Sequence, residues 1–131
     1  MSGGLRHEAR DLALVAVGAV PGALLRWRLT EGLGGAAGGP DGITLANLLG
    51  CLVLGVLLAH PGGSGRRMLA VGIGFCGSLT TFSTWMLQLA DAFRAGRPVA
   101  GAWVLASGLL GGVVMVALGH RVGTLLRRPR R

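Results

Sequence analysis

The chain has 131 residues, of which 51% are hydrophobic and only 14% charged, and its net charge is +8. A soluble domain is nearer a quarter charged, and one this small has too little interior to hide such an apolar surplus. Composition therefore argues against a soluble enzyme. Two cysteines exclude a disulfide scaffold, and the 25 glycines lack collagen's three-residue period.

Roughly 20 apolar residues cross a bilayer core, and four stretches fit: 12–29, 42–59, 68–90 and 99–119. They predict an all-α integral membrane protein, a single four-span domain over residues 1–131. The first stretch follows Arg6 and Arg10, as a signal peptide would. Arg26 near its end and three further spans favour a transmembrane helix instead. Gly18 and Gly22, four apart, predict a close helix–helix approach, as do Gly108 and Gly112 in the last span. Arg26 is the one charge well inside an apolar run, placed either to snorkel to an interface or to line an anion-attracting vestibule.

The second span carries a lone amide, Asn47, suited to an interhelical hydrogen bond or to donating to an anion. The third is the unusual one. Between Gly72 and Trp85 it holds three glycines (72, 74 and 77) and five hydroxyl residues. Glycine weakens a helix and Ser/Thr compete for its hydrogen bonds. A break near mid-membrane is expected there, freeing carbonyl oxygens that suit a hard cation. The formal G-x-G-x-x-G in this run has no preceding strand and is discounted. Cys51 and Cys76 read as packing residues. His60 and His120 read as interfacial.

The connectors carry turn signals: Gly38-Gly39-Pro40, Pro61-Gly62-Gly63 and Gly96-Arg97-Pro98. Nine arginines (6, 10, 66, 67, 121, 127, 128, 130 and 131) fall on one side of a four-span protein. Three (28, 94 and 97) fall on the other. That bias predicts both termini in the cytoplasm. The 127–131 tail reads as a topology signal touching anionic lipid of the bilayer, with no nucleic-acid partner.

Three stretches together resemble the Fluc/CrcB fluoride channel family of bacterial membranes. They are Gly18-x-x-Pro21-Gly22-Ala23-x-x-Arg26-Trp27, Gly42-Ile43-Thr44-Leu45-Ala46-Asn47-x-x-Gly50, and the run from Gly74 to Thr84. The resemblance implies a multi-pass protein of the bacterial plasma membrane, forming an antiparallel dimer with an inverted homologous subunit. It implies two fluoride pores and a structural, untransported sodium ion held by carbonyls at Gly77 and Thr80. Asn47, Phe82 and Ser107 then match pore positions, with Ser83, Trp85 and Arg26 beside them. Trp85 stands where the family has a second phenylalanine, Trp103 where it has tyrosine, and Gln88 where a glutamate often follows.

Physics makes these roles intelligible. A fluoride pore must replace the ion's hydration with donors, and an aromatic edge is positive. A full charge in the narrow region would bind too tightly, so Arg26 belongs at a mouth. Passive flux needs no covalent chemistry, so the chain is not expected to be an enzyme. The alternatives are a proton-coupled multidrug exporter, which needs an intramembrane carboxylate, and a non-conducting accessory subunit. The five acids (Glu8, Asp11, Glu31, Asp41 and Asp91) all lie at span edges or outside them. The arginine imbalance favours a heterodimer with a subunit of opposite bias over a homodimer.

Overall fold

A backbone crossing hydrocarbon must satisfy its polar groups internally, and this chain does so with helix along nearly all the described residues. The computed structural model describes residues 2–33, 41–60 and 65–126. Helix α1 spans Ser2–Leu33, α2 spans Gly42–Leu58, α3 covers 65–79, α4 spans Phe82–Arg94 and α5 spans Pro98–Leu125. Three segments are long and apolar enough to cross a membrane: Gly4–Leu33, Gly65–Arg94 and Pro98–Leu125. The chain is a multi-pass membrane protein. Helix α2 is apolar but shorter, at 17 residues, or about 25 Å of rise.

Helix α1 overruns the expected 12–29 at both ends, because good helix formers such as Leu5, Arg6 and Glu8 extend it past the apolar core. Helix α5 likewise runs past residue 119. The Asp41 carboxylate caps α2 by accepting from the Thr44 N–H. Gly96, at φ +65°, supplies the left-handed turn after α4, as its connector signal predicted. The other two turn signals, and the 127–131 tail, lie outside the described residues.

The helices pair alternately. Helix α1 packs along α3, and α2 along α5. Gly18, Gly22 and Gly74 let the α1 and α3 backbones touch: an added Cβ would meet the carbonyls of Ala70, Phe75 and Val15 respectively. The expectation for Gly18 and Gly22 is met. That for Gly108 and Gly112 is corrected. Gly108 lies under the Trp85 indole and Gly112 faces the Cys51 sulfur, so both receive side chains. The close backbone contact between α2 and α5 falls at Gly55, Gly119 and Gly123, toward the other end of α5. In both pairs the contacts advance in step along the two chains, so the partners run parallel. The start of α1, the end of α2, the start of α3 and the end of α5 therefore share one end of the bundle.

Residues Met68–Cys76 form π-helical turns, which the sequence reading did not foresee. Gly72 and Gly74 lie within the wide turns, and Gly74 is where the α1 backbone presses in.

Candidate functional site

The helix that starts at residue 65 stops at Leu79 and restarts at Phe82, so the expected break is present. Thr80 (φ −80°, ψ 154°) and Thr81 (φ −145°, ψ 125°) are extended. Before the break the chain lies on α1; after it, on α5. The break is the point at which the backbone changes partners.

Asn47 holds it open. Its Oδ1 accepts from the Thr81 N–H at 2.8 Å, and its Nδ2 donates to the Thr81 carbonyl at 3.1 Å. One amide thus satisfies both polar groups of one peptide residue. In a continuous helix the Thr81 N–H would go to the Gly77 carbonyl; here it does not. Similarly the Thr84 N–H, which would reach the Thr80 carbonyl, meets Thr81 Oγ1 at 3.5 Å instead. Gly77 and Thr80 are thereby deprived of their helical donors. Both carbonyls are neutral oxygens, a donor type that suits a hard cation. Gly77 lines the cavity beside the break, and an added Cβ there would meet nothing within 4 Å. Among the described residues no three His, Cys, Asp or Glu side chains gather to ligate a metal.

Thr81 is the residue that sequence reasoning undervalued. It is the N-cap of α4, and its hydroxyl also lies 3.2 Å from Thr84 Oγ1 and 3.4 Å from Ser83 Oγ. The available signal was a threonine three residues before another, opening an amphipathic stretch. The first N–H groups of α4 lack intrahelical acceptors and carry the positive end of its dipole, which favours an anion.

A cavity of about 430 Å³ adjoins the break, lined by Asn47, Gly77, Thr80, Phe82, Trp85 and Gly108 among others. It brings together five of the eight expected site residues; Ser83, Ser107 and Arg26 are outside its lining. Phe82 is 73% exposed, and its ring sits 5.7 Å from the Trp85 ring, tilted by 56°. Trp85 is buried, with its indole N–H given to the Val104 carbonyl at 3.0 Å. Its donor is engaged, so Trp85 braces Phe82 against α5 and offers the cavity only ring surface. Ser107 donates to the same Val104 carbonyl at 3.1 Å. Ser83 is exposed at the start of α4. Arg26 is half-buried on α1, one turn beyond Gly22, and Thr30 Oγ1 donates to its carbonyl at 2.8 Å. Trp103 is exposed, away from the lining.

Gln88 is tied to the cap of α2: its Nε2 donates to Asp41 Oδ2 at 2.9 Å. A glutamate here would set two carboxylates against each other, so the amide matches its neighbour. Ser78 Oγ, 2.9 Å from the Ala19 carbonyl, fixes the last turn of α3 to α1.

Residues 13–120 match the profile described as CrcB-like protein, Camphor Resistance (CrcB). The chain belongs to the CrcB family. This CrcB chain is 49% identical over 130 residues to "Fluoride-specific ion channel FluC 2" of Parasynechococcus marenigrum (strain WH8102), covering 95% of this chain and 89% of that one. It is 36% identical to "Fluoride-specific ion channel FluC" of Pseudomonas aeruginosa (strain UCBPP-PA14), over 84% and 91% of the two chains. It is 35% identical to a "Fluoride-specific ion channel FluC 1" of Prochlorococcus marinus, over 87% and 82%. These relatives are named as channels, not enzymes, and the CrcB match takes in every one of the expected site residues.

Proposed function

We propose that this chain is a four-span subunit of a fluoride-selective channel that lets fluoride leave the bacterial cytoplasm passively and so limits its toxicity. The observation that carries this reading is the clasped break. In a CrcB chain whose relatives are named for fluoride, Asn47 pins Thr81 and opens a helix N-terminus beside an aromatic-lined cavity. The second Nδ2 hydrogen of Asn47, the hydroxyl of Ser83 and the edge of Phe82 supply donors in place of water. No full positive charge lies in the cavity lining, which favours release as well as entry. Arg26 serves a mouth.

Sodium, bound at the Gly77 and Thr80 carbonyls, supplies a fixed positive charge that offsets the desolvation of the anion. Asp41 does not serve a proton-coupled exporter, because its carboxylate is committed to capping α2 and to Gln88. Liposomes holding the purified protein are expected to release fluoride and retain chloride. Replacing sodium by an organic cation on both faces should slow that release, while a sodium gradient alone should not concentrate fluoride. Equal fluoride and chloride rates would sink the channel reading; uphill accumulation driven by sodium would sink the structural role of the ion.

The dimer is antiparallel, with the inverted partner a homologous subunit of opposite charge bias. The end of the bundle shared by the α1 start and the α5 end carries Arg6, Arg10, Arg66, Arg67 and Arg121, and faces the cytoplasm. The naming of relatives as FluC 1 and FluC 2 accords with paired subunits. A cysteine placed in the 127–131 tail of the chain expressed alone should react only from the cytoplasmic face. Equal labelling from both faces would restore the homodimer.

A further inference from the structure

A second cavity, of about 310 Å³, lies between α2 and α3 at the arginine-rich end of the bundle. Its floor is apolar, with Val53, Val56, Leu57 and Val71; its rim carries His60 and Arg67. It is not a continuation of the break cavity. On α2 the break cavity takes positions 47, 50, 51 and 54, whereas this groove takes 52, 53, 56 and 57, with His60 just past the helix end. Each set is one helical stripe, and the two stripes lie about a third of a turn apart.

We propose that this groove binds one anionic phospholipid whose headgroup bears a hydroxyl, with an acyl chain on the Val53–Val71 floor and the phosphodiester on Arg67. The charge argument is direct. Arg66 and Arg67 stand exposed at the start of α3, and no acidic residue occurs from 42 to 90; the acids at this end of the bundle, Glu8 and Asp11, sit on α1 and outside the groove lining. A guanidinium meets a phosphodiester through paired N–H donors. His60 supplies the selectivity for a hydroxyl. Its Nδ1 lies 3.1 Å from the Val56 carbonyl, which can only accept, so Nδ1 carries the hydrogen. Nε2 of the neutral ring is then an acceptor, unsuited to phosphate oxygen and suited to a headgroup O–H. Groove, cation and acceptor thus fit the three parts of a phosphatidylglycerol: chain, phosphate and glycerol. The site is independent of fluoride passage.

The test is lipid retention by the intact purified protein, read by native mass spectrometry after incubation with equal amounts of competing lipids. Phosphatidylglycerol should be retained about fivefold over phosphatidylcholine, the worth of roughly one interfacial charge contact. Phosphatidylmethanol, an anionic phosphodiester without the hydroxyl, should fall between them. Arg67→Gln should erase the preference for anionic lipid. His60→Phe should erase only the difference between phosphatidylglycerol and phosphatidylmethanol. Val71→Trp, which fills the floor without touching charge, should lower retention of every lipid and serves if the rim variants fold poorly. Arg66→Gln should leave the His60-dependent difference intact. Equal retention of phosphatidylglycerol and phosphatidylcholine overturns the proposal. So does unchanged retention in Arg67→Gln and Val71→Trp. Efficient disulfide formation between two copies carrying Val53→Cys would overturn it too, by showing that protein covers the groove. No flux is measured, so a failed lipid site and a failed channel reading are told apart.

Discussion

Asn47→Ala is expected to reduce fluoride efflux from liposomes at least tenfold while leaving the protein in the membrane. The substitution removes both hydrogen bonds to Thr81 and replaces neither. A polar group left unpaired away from water costs about 1–3 kcal/mol, and here a donor and an acceptor are orphaned together. The cheapest repair is for the Thr81 N–H to return to the Gly77 carbonyl. That closes the break, withdraws the carbonyl and buries the N-terminus of α4. Asn47→Asp is the sharper variant. It keeps an acceptor for the Thr81 N–H but cannot donate to the Thr81 carbonyl, and it sets a negative charge beside an anion path. It too should fail to conduct. Wild-type efflux from Asn47→Ala would mean that the clasp is dispensable.

Gly18→Val is expected to cost about 3 kcal/mol of stability or more, at the upper end of overpacking effects, with much of the folded protein lost on purification. The added carbon meets the Ala70 carbonyl and then the Phe75 backbone nitrogen. Backbone on both sides leaves no flexible group to yield, so α1 must separate from α3. Gly22→Val should behave similarly, since the Phe75 carbonyl and Ser78 hydroxyl stand in its way. Gly77→Ala is the control for stability: nothing lies within 4 Å of the new carbon. Thermal unfolding in detergent checks all three. A Gly18→Val protein that melts with the wild type would remove the backbone contact as the source of α1–α3 cohesion.

The legible parts of this molecule were those encoded over short stretches. Apolar runs announced the helices. Gly18 and Gly22 announced a close approach, because a four-residue spacing puts both on one helix face. The density of glycine and hydroxyl residues between 72 and 84 announced the break. What stayed hidden depends on register between distant segments. Asn47 was readable as an amide needing a partner, but its partner lies 34 residues away and is a backbone group. The same holds for Trp85, whose indole donor is taken by the Val104 carbonyl. Gly108 and Gly112 have the same spacing as Gly18 and Gly22, yet meet side chains, while the α5 and α2 backbones meet nearer Gly119. The π-turns have no periodic signature strong enough to distinguish them from ordinary helix.

The alternate pairing of helices also governs the order in which this chain can be assembled. A hairpin protein buries each helix against the one made just before it. Here α1 finds its main neighbour only after α3 is made, and the 52–59 face of α2 only after residues 116–123. A nascent chain that has not yet passed residue 98 therefore holds α2 without its principal companion, with Gly55 offering bare backbone to lipid. Small side chains that tighten the finished bundle give an unfinished one little to grip. Synthesis, more than the completed protein, is the stage at which this chain depends on its surroundings to stay in place.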